Sequence, residues 1–475
     1  MSCKTSIKKT KIICSIGPAS YDPDVMEQMV LAGMNVARIN FSHATLEEKE
    51  KVVASVHEVR NRTKANVAIL YDTKGPEFRN GMLENGEINL VEGKTIRVVK
   101  EEVLGNEERF SVNHPQAISS LKVGDTILLE NGLMKIEVIS VEEDGVTCKI
   151  INGGVLGNKK SLSVPGVALD IPFISEQDRE DIIYACEHEG DFLALSFVSC
   201  ANDVLEAREI LKACNREDMK IISKIESTTG VENLDSIIEV SDGIMVARGD
   251  LGVEAPMEEL PILQKMMAQK CRENGKICVV ATEMLESMKK SARPTRAEVS
   301  DVANAVLDGT DAVMLSGETT MGKFPIETVR YMANICANAE SHVDFEGVFG
   351  SNREVNITET IATSVVESAN MLDAKLIVAA TMSGYTARKI SNLKPNCLIL
   401  AGCANEEVAR SLALNWGVYP TIVPVYNSTD EVINDSKAKA KEFMELKEKD
   451  IIVITGGFPN NQVSRTTNLM KIEEI

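Results

Sequence analysis

The chain has 475 residues, a net charge of −20, 44% hydrophobic and 26% charged residues. That balance suits a folded chain of two to four domains, and the acidic excess without a basic tail argues against nucleic acid as the main partner. Eleven cysteines without a Cys-x-x-Cys pair, five scattered histidines and the lack of any apolar run of 18 residues exclude a disulfide scaffold, a zinc site and a membrane span, so the expected location is cytoplasmic.

In chain order, strand and helix alternate from Lys9. Strands are expected at Thr10–Ile16, Asn35–Asn40 and Val67–Thr73, with helices at Asp24–Ala32, stopped by Gly33, and at Leu46–Thr63. Residues 74–168 change character to short alternating runs, Ile88–Leu90, Thr95–Val99, Thr126–Leu129, Lys135–Val141 and Thr147–Ile151. They predict an antiparallel β-domain inserted between a barrel strand and the next helix. The Gly153–Gly157 run, GGVLG, has no βαβ context and is expected to be a hairpin turn.

Alternation resumes after Pro172 with helix Glu176–His188 and strands Phe192–Val198, Lys220–Glu226, Gly243–Arg248, Lys276–Thr282 and Asp311–Ser316. Eight such strands predict a parallel (β/α)8 TIM barrel, in two parts, 1–73 and 169–340. The helix after Pro294 carries Val299, Val302, Ala303 and Val306 as its apolar stripe. Residues 341–355 are polar and predict a linker. Residues 356–475 predict a C-terminal α/β domain, with helix Glu359–Asn370 and strands Leu376–Thr381, Cys397–Ala401, Thr421–Val425 and Ile451–Thr455.

Barrel active sites lie at the C-terminal strand ends. There the sequence places Arg38, Asn40, Ser42 and His43; Asp72, Thr73, Lys74, Glu77 and Arg79; Lys224 and Glu226; Arg248, Gly249 and Asp250; Thr282 and Glu283; Ser316, Gly317 and Glu318. Lys224 and Glu226, two apart on one strand, share a face. Arg38, Arg79 and Lys224 can hold a phosphoryl group, and Glu226 and Asp250 offer hard oxygens suited to Mg2+ or Mn2+. Asn40, Ser42, Asp72 and Thr73 suit K+, and the backbone N–H groups near Gly249 could take a carboxylate. No Ser-His-Asp set is present, which weakens acyl transfer in favour of phosphoryl transfer.

TKIICSIGPAS (10–20), GMNVARINFSH (33–43), DTKGPEFR (72–79), IISKIE (221–226), IMVARGDLGVE (244–254), ATEMLESM (281–288) and PTRAEVSDVANAVLDGTDAVMLSGET (294–319) together resemble the pyruvate kinase family over essentially the full length. The resemblance implies transfer of the phosphoryl group of phosphoenolpyruvate to ADP, giving pyruvate and ATP, the last step of glycolysis. By position it implies Lys224, Arg38, Arg79, Thr282, Ser316 and Glu318 as catalytic residues. Substrate contacts would come from Arg38, Lys224, Gly249, Asp250 and Thr282, and nucleotide contacts from His43, Arg79 and Lys160. Glu226 and Asp250 would hold Mg2+ or Mn2+, and Asn40, Ser42, Asp72 and Thr73 would hold K+. The K+ expectation leans on Glu77, since family members with glutamate there generally need a monovalent cation and those with lysine do not.

In the last domain, TMSGYTA (381–387) resembles the family's effector-phosphate loop, implying Thr381, Ser383, Gly384 and Thr386 as contacts for a phosphorylated effector. The family also implies a homotetramer, and it implies that the inserted antiparallel β-barrel domain is a lid that closes over substrate and excludes water. Departures from the family pattern are Glu283 for Gln, Ala44 for Gly and Ser199 for Arg, and the 456–468 loop, which leaves the effector's identity open. Two other readings are a different Mg2+-dependent barrel acting on phosphoenolpyruvate or pyruvate, and a non-catalytic metabolite sensor on the same fold. The inserted lid and the K+ set argue against the first, and the intact Lys224, Glu226 and Asp250 against the second.

Overall fold

The computed structural model describes residues 7–42, 44–343, 356–426, 428–457 and 467–475. The expectations for His43, for most of the 341–355 linker and for most of the 456–468 loop lie outside the described residues.

Eight strands, Lys11–Ser15, Val36–Asn40, Ala68–Asp72, Phe192–Leu195, Lys220–Ile225, Gly243–Ala247, Ile277–Ala281 and Ala312–Leu315, close into one barrel. Every neighbouring pair is parallel, and the first strand meets the last through Lys11 to Cys14 against Ala312 to Leu315. The strands read as continuous apolar runs because both their faces are buried. Alternate residues such as Ile13, Val36, Leu70, Phe192, Ile222, Met245, Val279 and Met314 fill the barrel interior. Their neighbours, Ile12, Cys14, Ile69, Leu193, Ile221, Ile244, Val280 and Val313, pack against the surrounding helices.

The helices start where the sequence offers a cap. Thr45 with Glu48, Ser175 with Asp178 and Thr295 with Glu298 each form a reciprocal capping box. Gly33, at φ 127, ends the first helix Pro23–Ala32. In helix Arg296–Leu307 the buried stripe is Val302, Ala305 and Val306, whereas Val299 is 37% exposed. The buried arc is rotated toward Ala305 relative to the expected stripe, which leaves Val299 at its edge.

Between the third and fourth barrel strands lies a β-unit with its own core, including Phe110, Ile127, Leu129, Ile136, Val138 and Val146. Its six-stranded sheet is antiparallel except where Thr95–Val99 runs parallel to Arg109–Ser111. Gly154–Gly157 is not a turn. It is a strand paired antiparallel with Glu87–Leu90. Glycine suits its approach, since a Cβ at Gly153 would lie 2.1 Å from the Leu90 carbonyl oxygen.

The C-terminal unit is a five-stranded sheet in the order Val418–Ile422, Leu398–Cys403, Leu376–Thr381, Ile451–Gly456, Leu469–Glu474, parallel except for the last strand. It seals the N-terminal mouth of the barrel. Ala413 and Leu414 join the interior cluster, Lys11 Nζ donates to the Val418 carbonyl at 2.5 Å, and Arg410 Nε meets Asp191 Oδ1 at 2.9 Å. Lys394 pairs with Asp311 beside them. With that end plugged, the C-terminal mouth under the lid is the open one.

Candidate active site

Two adjoining cavities of about 460 and about 230 Å3 occupy that mouth. The smaller is lined by Arg38, Asn40, Ser42, Thr73, Lys224, Glu226, Asp250, Thr282 and Ser316 among others. The larger runs out under the lid past Arg79, Lys160, Ser199 and Asp203, sharing Glu226 and Asp250 with the first. The structure thus gathers residues from strands far apart in sequence.

At the floor is a buried network of alternating charge. Asp72 accepts from Arg38 Nε at 2.6 Å through Oδ2 and from Lys224 Nζ at 3.2 Å through Oδ1. Arg38 Nη1 also donates to Ser15 Oγ at 2.7 Å. Asp72 is fully enclosed, and burial alone would raise its carboxyl, but Arg38 and Lys224 hold it below the ordinary range. Lys224 Nζ is 3.0 Å from Glu226 Oε1. Its burial works against the charged form, yet Asp72 and Glu226 outweigh this and raise its pKa, so the ammonium is the state the site favours.

Glu226 and Asp250 behave differently. Glu226 is 2% exposed, and its Oε2 accepts the Phe197 N–H at 2.7 Å. Burial pushes its carboxyl up to about 7, with Asp250 adding to the rise against Lys224. Asp250 faces the cleft, and desolvation raises it too, with the fields of Glu77 and Asp72 adding to the rise against Lys224 and a hydrogen bond to Glu226. Burial thus raises both carboxyls even with the Lys224 ammonium beside them. Among the described residues no group of three or more His, Cys, Asp or Glu side chains could hold a metal. Two carboxylates with the remaining positions left to substrate and water is nevertheless the usual way protein binds Mg2+. The donor set fits that ion.

Thr282 and Glu283 follow a barrel strand with φ of 71 and 55, an unusual pair of left-handed non-glycine residues at a site edge. Thr282 Oγ1 donates to the Ala281 carbonyl at 2.6 Å and accepts the Gly249 N–H at 2.8 Å. The Gly249 amide, expected to face a ligand at the start of helix Arg248–Glu254, is thus already engaged. Arg248 braces the turn by donating to the Thr282 carbonyl at 2.7 Å and to Asp301 Oδ1 at 2.7 Å.

Glu318 does not reach the cavity. It is fully buried, and its two oxygens accept the Leu285 N–H at 3.1 Å and the Ser316 N–H at 2.8 Å. Ser316, by contrast, lines the cleft. Arg79 makes a two-pronged contact with Glu77, 2.7 and 3.0 Å, and donates to the Lys159 carbonyl at 2.7 Å. Lys160 pairs with Glu130 at 2.6 Å. Glu77 is held low against its burial by Arg79 and by Lys74. Asn40 Oδ1 accepts the Ser42 N–H at 3.1 Å.

In the C-terminal unit Gly384, at φ 77, precedes helix Tyr385–Ser391. The Thr386 hydroxyl is buried against the Thr467 hydroxyl at 2.7 Å, and Thr381 is buried as well, while Ser383 is half-buried. Sequence reasoning missed Ser196, Phe197 and the bracing role of Arg248. Ser196 was legible by the strand-end rule, since it directly follows strand Phe192–Leu195.

A closed parallel barrel with cations and hard carboxylates gathered at one mouth, beneath a β-unit, is the frame of a barrel phosphotransferase. Comparison with known proteins gives the family. The pyruvate kinase barrel domain matches residues 7–329 and the pyruvate kinase alpha/beta domain residues 359–473. The chain is 46% identical over 473 residues to a pyruvate kinase of Geobacillus stearothermophilus, covering 98% of this chain and 80% of that one. It is 44% identical over 471 residues to that of Bacillus licheniformis, with the same shares covered. A crystal structure of a pyruvate kinase from Cryptosporidium parvum aligns with a TM-score of 0.93 at 41% identity, covering 98% of this chain and 96% of that one. The chain belongs to the pyruvate kinase family, and it is an enzyme of the phosphotransferase class. Among the described residues no helix is long and apolar enough to cross a membrane.

Proposed function

We propose that this mouth transfers the phosphoryl group of phosphoenolpyruvate to ADP, giving pyruvate and ATP. The observation that carries the residue roles is the Lys224 ammonium, buried at the cleft floor and kept charged by Asp72 and Glu226. Phosphoryl transfer leaves little covalent work for the protein; it needs positioning and charge stabilisation. Lys224 and Arg38 meet the phosphoryl oxygens from one side of the small cavity. Thr282, with its neighbours Gly249 and Asp250, sits where the substrate carboxylate would lie. Ser316 and Thr282 are the hydroxyls nearest to the route by which the enolate gains its proton. Glu318 serves this indirectly, by holding the Ser316 amide. Arg79 and Lys160, in the outer cavity, are placed for the nucleotide, and the β-unit acts as a lid that excludes water.

Glu226 and Asp250 would hold a divalent cation, which when bound supplies charge neutralisation to the transferring group. Asn40, Ser42, Asp72 and Thr73 would hold K+ beside it. The Thr381–Thr386 turn is the place for a phosphorylated effector, with the half-buried Ser383 better exposed to it than Thr381, Gly384 and the engaged Thr386 hydroxyl, which are buried. The test is pyruvate formation from phosphoenolpyruvate and ADP, with Mg2+ and K+ each present or absent. Turnover dependent on ADP and Mg2+ supports the reading; pyruvate release without ADP overturns it.

A further inference from the structure

We propose that Ser196 is the positioning residue of Lys224, joining the ammonium to the root of the lid; this rests on the role proposed above for Lys224. Ser196 follows strand Phe192–Leu195 and is 2% exposed. The shortest contact of Lys224 Nζ is with Ser196 Oγ, at 2.6 Å, against 3.0 Å to Glu226 and 3.2 Å to Asp72. An ammonium has three N–H donors, and these three acceptors lie within their reach. Ser196 is the uncharged one of the three. Glu226 and Asp72 hold the ammonium in place by charge, which sets a distance but little direction. The hydroxyl sets direction.

The hydroxyl is itself fixed from the other side. Its oxygen is 2.7 Å from the Thr73 carbonyl and 3.2 Å from Asp72 Oδ1, both pure acceptors, so its single proton goes to that side and a lone pair faces Lys224. The Ser196 N–H donates to Thr73 Oγ1 at 3.1 Å. Two residues further on, Gly75 stands at φ 71, where a Cβ would lie 2.8 Å from the Ser196 carbonyl oxygen. Gly75 N–H in turn donates to Asp178 Oδ1 at 3.0 Å. Residues 73–75 are where the chain leaves the barrel for the lid. One buried serine therefore touches both the ammonium and the strand that carries the lid, and a shift at that root is passed to Lys224 through the hydroxyl.

Three variants test this in steady-state assays with phosphoenolpyruvate and ADP. Ser196→Ala removes the acceptor without changing the charge of the site. It is expected to lower kcat by about 10- to 100-fold, the range for a lost hydrogen bond to a charged group, with KM for phosphoenolpyruvate within about 3-fold. Ser196→Cys keeps the volume but offers a poor acceptor, and should fall between wild type and Ser196→Ala; it also serves if the alanine variant does not fold. In a Lys224→Met background, Ser196→Ala should cost almost nothing further, because a residue acting through Lys224 has nothing left to position. Additive losses in the double variant, or wild-type kcat in both Ser196 variants, would overturn the inference. Wild-type kcat in Lys224→Met alone would instead overturn the role of Lys224 itself, so the two failures are distinguishable.

Discussion

Lys224 Nζ and Glu226 Oε1 stand 3.0 Å apart at the floor of the cleft, two residues apart on the same strand end. The alternation of a β-strand puts them on one face, and the barrel puts Asp72 across from both. Lys224→Met should lower kcat by about 1,000-fold or more, on the order of 4 kcal/mol. Some stability should go with it, since Lys224 neutralises two enclosed carboxylates. Arg38 remains to pair Asp72, and Glu226, already raised to about 7, can protonate. Steady-state kinetics with thermal unfolding on the same preparation checks this; near-normal kcat refutes the assignment.

Asp250 lines the cleft beside Glu226, and burial raises both carboxyls. Asp250 is one of the two carboxylates that would hold Mg2+, so Asp250→Ala should raise the Mg2+ concentration needed for half-maximal activity by about 10-fold or more, since even an outer-shell partner of a metal ligand is worth about 10- to 100-fold in affinity, and should weaken phosphoenolpyruvate binding. Overlaid Mg2+ titrations of variant and wild type would show that Asp250 is no ligand.

Glu77 grips Arg79 by both oxygens and is 3.5 Å from Lys74. It thus offsets positive charge beside the phosphate cavity, and a bound K+ would restore it. Glu77→Lys would place a compact ammonium there instead. Wild-type activity should be low with tetramethylammonium as the monovalent cation and rise strongly with K+. The variant should respond less to K+, with some loss of maximal rate because Arg79 loses its partner. Equal wild-type rates in the two salts would end the K+ proposal.

Lys394 and Asp311 form a buried pair where the C-terminal unit meets the barrel, and Asp311 Oδ2 also accepts the Cys278 N–H at 2.8 Å. Lys394→Met strands a buried carboxylate and should cost about 3–5 kcal/mol. Urea unfolding followed by circular dichroism measures this, and a midpoint shift corresponding to less than about 1 kcal/mol contradicts it.

The sequence by itself determined the eight apolar strands, their order and the residue types at their ends. Short continuous apolar runs such as Ile277–Ala281, bounded by polar residues, read as strands buried on both faces, and capping pairs such as Thr295 and Glu298 mark where helices begin. Those signals are local, so they survive without coordinates, and the strand-end rule then collects Arg38, Asp72, Lys224, Glu226 and Asp250. Only the tertiary structure decided how these residues use one another. Nothing local says that Asp72 takes both Arg38 and Lys224, that Ser196 holds the ammonium, that Thr282 occupies the Gly249 amide, or that Glu318 turns inward to backbone N–H groups. Each depends on strands whose spacing in the chain runs to 152 residues, as for Asp72 and Lys224. The same holds for Gly154–Gly157, where local glycine content suggests a turn and pairing with Glu87–Leu90 makes it a strand. Hydrogen bonds between distant segments are set by closure of the barrel and the sheets, and periodicity along one segment carries no trace of them.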